Sequence, residues 1–379
     1  MKRLILTLMT AMATLAVTAQ NEGLTPLTER VNVQADTARM EQIIDGEWVA
    51  VGVRRPYAIC HDHNLMFDYK PSYRFELREE DNTLAGYNKG ETKGRAELSY
   101  CYATSQDLAD MSDEEYSAEQ LMKTVYHHGK GISPQGSKRR YRFSFYAPKE
   151  FDGGNATTIF AQWHGMPDRR LAQTPDGEVV MLTTEEFVAL SDSTIFKKDT
   201  GYEKEAYTDK RGRTKYRAGE PNGWKIEQGG FPPLAFGFAQ GYFYIKANSD
   251  RKWLTDKSDR CNASPARAEV MVPQTSEYKA STVAYRMPWE EFPKETWVTF
   301  TVDIDWTVYS GKSERIKREG MLSVEMAYNG KREQIVDREP ILIGRNDDAG
   351  YYFKFGIYRV ADSTVPVVYN LAAYSEEDR

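Results

Sequence analysis

Trp297–Trp306, WVTFTVDIDW, carries the clearest structural signal in the chain. Val298, Phe300, Val302 and Ile304 alternate there with Thr299, Thr301, Asp303 and Asp305. Because successive strand side chains point to opposite faces, this period of two gives one apolar and one polar surface. The pattern recurs. RYRFSFY sets Tyr141, Phe143 and Phe145 against Arg140, Arg142 and Ser144. GYFYIKA sets Phe243 and Ile245 against Tyr242, Tyr244 and Lys246, and YYFKFGIYRV sets Phe353, Phe355 and Ile357 against Tyr352, Lys354 and Tyr358. Gly, Pro and Asp punctuate these runs, which predicts an all-β chain, a sandwich or jelly roll. Helical signals are few: SDEEYSAEQLMKTVY, with a capping box from Ser112 to Glu115, and TTEEFVAL near Thr184.

The chain has 379 residues. Lys2 and Arg3, the short apolar run Leu4–Val17 and the small residues before Gln20 describe a secretory signal over 1–19, cleaved after Ala19. The run is too short to span a bilayer. The reading is therefore an exported, periplasmic protein without membrane insertion, with residues 20–379 forming a single domain. Three cysteines, Cys60, Cys101 and Cys261, are too few for a disulfide scaffold; one pair or free thiols both remain open.

A net charge of -6 argues against a nucleic-acid partner, but the basic residues are clustered. Lys138, Arg139, Arg140 and Arg142 form one group; Lys197-Lys198 and Lys210 to Arg217 form others. Such stripes either steer a polyanion or are solvated strand faces balanced by carboxylates. The region 170–222 reads as a basic excursion from the sandwich. Its part from Asp199 to Asn222 has almost no aliphatic residues and cannot build a core. Walker, GxGxxG, GxSxG and HExxH signatures do not occur, so nucleotide and serine-hydrolase chemistry lack their usual motifs.

IFAQWHGMPDRR, Ile159–Arg170, holds one of only five histidines. Simple alternation puts Ile159, Ala161 and Trp163 on one face and Phe160, Gln162 and His164 on the other. Gly165 and Pro167 are expected to stop the strand, leaving His164 at a rim beside the Gln162 amide. A histidine there serves either as a base near neutrality or as a partner for loop backbone. Tyr358 shares its face with Tyr352 and Lys354, and a neighbouring cation favours a phenolate. CHDHN, Cys60–Asn64, lacks zinc-site spacing, whereas GRNDDAG bunches Asn346, Asp347 and Asp348 on a turn, suited either to calcium or to a plain acidic turn.

YHHGKG, IFAQWHGMPDR, FKKDTGYEK, EQGG with PPLAFGF, FYIKANSDRKWLTDK, DRCNASP, DIDWTVY and GRNDDAGYYFKFGIYRV together resemble the heparin lyases of polysaccharide lyase family 13. The resemblance runs from about Leu98 to the C-terminus. It implies a jelly-roll sandwich with a protruding basic thumb, secretion, and calcium-dependent eliminative cleavage of heparin or heparan sulfate by a monomer. It makes His164 and Tyr358 the catalytic pair and Asn346, Asp347, Glu220 and Trp253 (through its carbonyl) the calcium ligands; elimination at a uronate also needs a partner for the carboxylate, for which Gln162 is the candidate. It implies heparin contacts at Lys197 and Lys198, and the basic and strand-face residues Lys130, Arg139, Arg140, Arg142, Tyr352 and Lys354 join them as candidates. Some relatives carry a cysteine in the GxxPQG loop; here that loop is GISPQG with Ser133, which favours a His/Tyr mechanism. A non-catalytic sulfated-glycan binder and a lyase for another polyuronate are the alternatives.

Overall fold

In a computed structural model, residues 23–27, 43–44, 48–51, 53, 55–82, 94–100, 131–167, 171–183, 204–208, 214–218, 225–226, 231–255, 259, 261–359 and 363–379 are described. The leader, the two helical stretches, Lys130, Lys197, Lys198 and Glu220 lie outside them. Two large sheets, of eight and eleven strands, dominate the fold. Trp297–Asp305 sits inside the first, antiparallel to Lys138–Tyr146 on one side and Gly320–Tyr328 on the other. The second contains, as neighbours, Lys279–Pro288, Tyr242–Asp250, Leu234–Ala239, Thr158–Pro167, Asp348–Arg359 and Gly94–Ser99. The chain is a jelly-roll β-sandwich, and its only helical elements among the described residues are short 3-10 turns, such as Trp289–Glu291.

The apolar faces read from the sequence are the ones buried between the sheets. Val298, Phe300, Val302 and Ile304 have no exposed surface, nor do Tyr141, Phe143 and Phe145. Aromatic rings bridge the layers: Phe145 meets Phe160 at 4.5 Å, Phe143 meets Phe353 at 5.3 Å, and Phe236 meets Phe300 at 5.4 Å between centroids. Each such side chain contributes roughly 1.5–3 kcal/mol by leaving water, and well-angled ring pairs add about 0.5–1.5 kcal/mol.

Two expectations about Ile159–Arg170 need correcting. Pairing with Leu234–Ala239 slips by one residue, because Phe236 faces Ala161 while Gly237 faces Ile159. Phe160 is the extra residue of this bulge, and it turns into the core instead of joining Gln162 and His164. Nor does the strand stop at Gly165. It runs to Pro167, paired with Asp348–Tyr351, so His164 lies inside the sheet rather than at its rim. Glycine is needed at 165 for close approach: a Cβ there would lie 2.2 Å from the Asp348 carboxylate.

In the basic excursion, Leu171–Gln173 and Val179–Met181 form a small three-stranded sheet with Lys225–Ile226 from just beyond it, and Lys204–Thr208 pairs with Thr214–Ala218 as a separate hairpin.

Candidate active site

The face of the eleven-stranded sheet turned away from the core holds the candidate residues. Tyr352 is directly opposite His164, and Lys354 is opposite Gln162. One strand further, Arg95 is opposite Tyr358 and Glu97 is opposite Gly356. Gly356 has φ +126°, and a Cβ on it would lie 2.3 Å from the Ala96 carbonyl, so only glycine permits the bulge that sets Tyr358 on this face.

Glu97 is the hub. Its carboxylate is 2% exposed, accepts a hydrogen bond from Gln162 Nε2 and receives the Lys354 ammonium at 3.0 Å. Arg95 Nη1 lies 3.9 Å from the same carboxylate, and its guanidinium stands 4.4 Å from the centre of the Tyr358 ring. The cation against Tyr358 is therefore Arg95, whereas the lysine on the tyrosine's own strand is ion-paired with Glu97.

His164 Nδ1 lies 2.8 Å from the Gly165 carbonyl oxygen. A carbonyl can only accept, so Nδ1 carries the proton and Nε2 of the neutral ring keeps its lone pair. The ring is open to solvent and packs against Tyr352 at 5.3 Å. Protein crowded around it, then the Lys354 and Arg345 cations, push its pKa down to about 3. The exposed edge tempers the first cause but not the direction, since both cations disfavour imidazolium. A neutral, oriented imidazole beside two cations and one carboxylate is equipped to accept a proton next to an anionic substrate.

The family model described as polysaccharide lyase matches residues 34–371. Heparin lyase I of Pedobacter heparinus is 59% identical over 354 residues, 92% of both chains. The chain belongs to the polysaccharide lyase family. Among solved structures, this polysaccharide lyase aligns with a family 14 alginate lyase from Aplysia kurodai at 8% identity, covering 94% of this chain and 98% of that one, with a TM-score of 0.37. A family 131 glycoside hydrolase domain from Coprinopsis cinerea aligns at 12% identity, 94% and 95% coverage and a TM-score of 0.37. Neither likeness bears on the chemistry.

Other expected contacts fall elsewhere in the lyase. Arg139, Arg140 and Arg142 belong to the eight-stranded sheet, not to the His164 face. Arg140 pairs with Asp303 at 2.7 Å, and Arg139 with Glu376 at 3.1 Å and with Asp378. The structure thus sets Arg139 and Arg140 beside balancing carboxylates and does not bring the three arginines to Gln162, His164 and Tyr358. Ser133 is fully buried between Tyr141 and Arg139, bonded to both. Cys60 and Cys261 are free thiols.

The loop after Ile343 is rich in oxygen donors. Asp347 accepts from the Thr255 N–H at 2.8 Å and hydroxyl at 3.0 Å, and Asp348 pairs with Arg345 at 2.6 Å. The Asn346 side chain is already engaged: Oδ1 accepts from Gly311 N–H, and Nδ2 donates to the Arg251 and Gly311 carbonyls. Among the described residues no group of three His, Cys, Asp or Glu side chains is placed to hold a metal. Among the described residues the donor that suits a hard cation is the Asp347 carboxylate, which already accepts from Thr255. Sequence reasoning missed Arg95 and Glu97, although GRAELS alternates Arg95, Glu97 and Ser99 against Ala96 and Leu98.

Proposed function

We propose that this polysaccharide lyase is a heparin lyase. It cuts the glucosamine-(1→4)-iduronate linkage of heparin or heparan sulfate, with 2-O-sulfated iduronate as the reacting ring, by β-elimination to a 4,5-unsaturated uronate. The observation that carries this reading is the 59% identity to Heparin lyase I over 92% of both chains. The chemistry follows from the side chains. His164 Nε2, the basic nitrogen of a ring whose Nδ1–H is committed to Gly165, takes the C5 proton. The electron pair moves into the C4–C5 bond as the bond from C4 to the glycosidic oxygen breaks. Tyr358 donates its hydroxyl proton to the departing oxygen. Lys354 and Gln162, held together by Glu97, face the uronate carboxylate and offset the charge that builds on it, a task in which fixed donors outperform water. In iduronate the C5 proton and C4 oxygen lie on opposite ring faces, which suits two separate residues.

The test follows the ultraviolet absorbance of unsaturated uronate. His164→Ala abolishes its rise while heparin is still retained, and Tyr358→Phe lowers turnover by about 10²–10⁴-fold, the usual contribution of a positioned acid. Turnover within tenfold of the unaltered enzyme in His164→Ala sinks the assignment.

A calcium ion bound through Asp347, main-chain carbonyls and Glu220 would order the loop that leads into the Tyr358 strand. Its expected signature is a melting temperature that rises with added calcium in the unaltered protein and does not move in Asp347→Ala. Export completes the proposal: mass spectrometry of the protein from its native host finds a mature chain beginning at Gln20.

A further inference from the structure

Beyond Gln162 the same face of the sheet carries small residues. The next strand, Leu234–Ala239, sends Leu234, Phe236 and Phe238 into the core and leaves Ala235 and Gly237 on the Gln162 face. Ala235 stands directly opposite Gln162 on one side and Lys246 on the other. Gly237 cannot be enlarged, since a Cβ would lie 2.4 Å from the Thr158 carbonyl and 2.9 Å from the hydroxyl of Tyr244, whose buried ring packs over it. Gln162 and Lys246 therefore flank Ala235 on one face, two strand spacings or about 9–10 Å apart.

Lys246 is the charged group on that side of Ala235. Its ammonium donates to Asn262 Oδ1 at 2.6 Å and lies 5.6 Å and 6.0 Å from the ring centres of Tyr244 and Phe231. Among the described residues its hydrogen-bond partner is thus a neutral amide, and an ammonium has three donors to place. The half-buried setting pushes its pKa down to about 8, so the ammonium stays charged near neutral pH but is poorly solvated, and an anion arriving beside it would raise that pKa. The ion pairs of the neighbouring cations differ: Lys354 is matched to Glu97 and Arg345 to Asp348.

We propose that Lys246 binds a sulfate group on the sugar adjacent to the reacting uronate, which makes it a specificity-determining residue two strands from Gln162 on the same face. The distance from Gln162 places it beyond the ring whose carboxylate meets Gln162 and Lys354, and an amino-sugar neighbour in heparin offers sulfate rather than carboxylate. This inference rests on the heparin lyase reading.

The test compares heparin, in the ultraviolet assay, with heparin chemically desulfated on its glucosamine residues alone, the iduronate 2-O-sulfate being kept. Lys246→Met raises KM for heparin about tenfold, the loss of one charge-assisted contact, with kcat within about twofold and the melting temperature unchanged. Lys246→Arg recovers most of that loss. On desulfated heparin, the unaltered enzyme and Lys246→Met have the same KM. An unchanged KM on heparin, an equal KM rise on both substrates, or a KM rise in Lys246→Arg matching that of Lys246→Met overturns the proposal. Should the methionine variant fail to fold, lysine side-chain NMR of the unaltered protein decides: the Lys246 pKa rises when a sulfated heparin disaccharide binds, and no change refutes the contact. Failure of the unaltered enzyme to cleave heparin would instead strike the substrate reading itself.

Discussion

Removing the Glu97 carboxylate tests whether the active face is held by one buried charge. The Lys354 and Glu97 side chains are 5% and 2% exposed, and their 3.0 Å contact is a buried ion pair rather than a surface one. Deleting one partner of such a pair leaves the other desolvated, at a cost of about 3–5 kcal/mol. Unfolding entropy of roughly 2.1 cal/mol/K per residue, over 379 residues, amounts to about 0.8 kcal/mol/K, so Glu97→Ala should lower the melting temperature by about 4–6 °C. Glu97→Gln keeps an acceptor for Gln162 and Lys354 and should lose only about half as much. Calorimetry at neutral pH reads both shifts, and the ultraviolet assay reads the accompanying loss of turnover as Gln162 and Lys354 lose their common anchor. A shift under about 1 °C for Glu97→Ala would refute the buried-hub argument.

The histidine has a pH signature. Because crowding and the Lys354 and Arg345 cations hold its folded pKa below the ordinary value of about 6.5, the base form persists on acidification, and the acid limb of kcat/KM due to His164 falls below pH 6.5. The sign for stability follows: an unfolded chain takes up the proton near pH 6.5 while the folded chain resists until a lower pH. His164 thus costs stability progressively as pH falls through that window, and His164→Gln should flatten the fall in melting temperature there. Gly356→Ala forces a side chain onto φ +126° and against the Ala96 carbonyl, so denaturant unfolding should show a loss of about 3 kcal/mol or more. Arg140→Ala, on the other sheet, should change KM for heparin less than about twofold and stability by no more than about 1 kcal/mol, as expected for an exposed ion pair with Asp303.

The period of two was enough to assign the buried faces of Trp297–Asp305 and Lys138–Tyr146, because no bulge interrupts their pairing with each other. It failed at Phe160, where the face depends on a slip against Leu234–Ala239 that no single strand's sequence records. The arginine run around Arg140 looked like a polyanion patch for a related reason. Its carboxylates come from Asp303, on the polar face of the opening stretch, and from Glu376 and Asp378 near the C-terminus, brought together only by sheet order. Glu97 was passed over because a charged residue in a strand ordinarily marks solvent. Its burial is set by Gln162 and Lys354, which come from two other strands.

Gly165 has a double attachment. Its carbonyl fixes the proton on His164 Nδ1, and its bare Cα allows Asp348 to press against the same strand. Asp348 is clamped by Arg345 and follows directly on Asn346 and Asp347. The aim of the imidazole and the seating of the acidic loop thus meet at a single residue that has no side chain of its own.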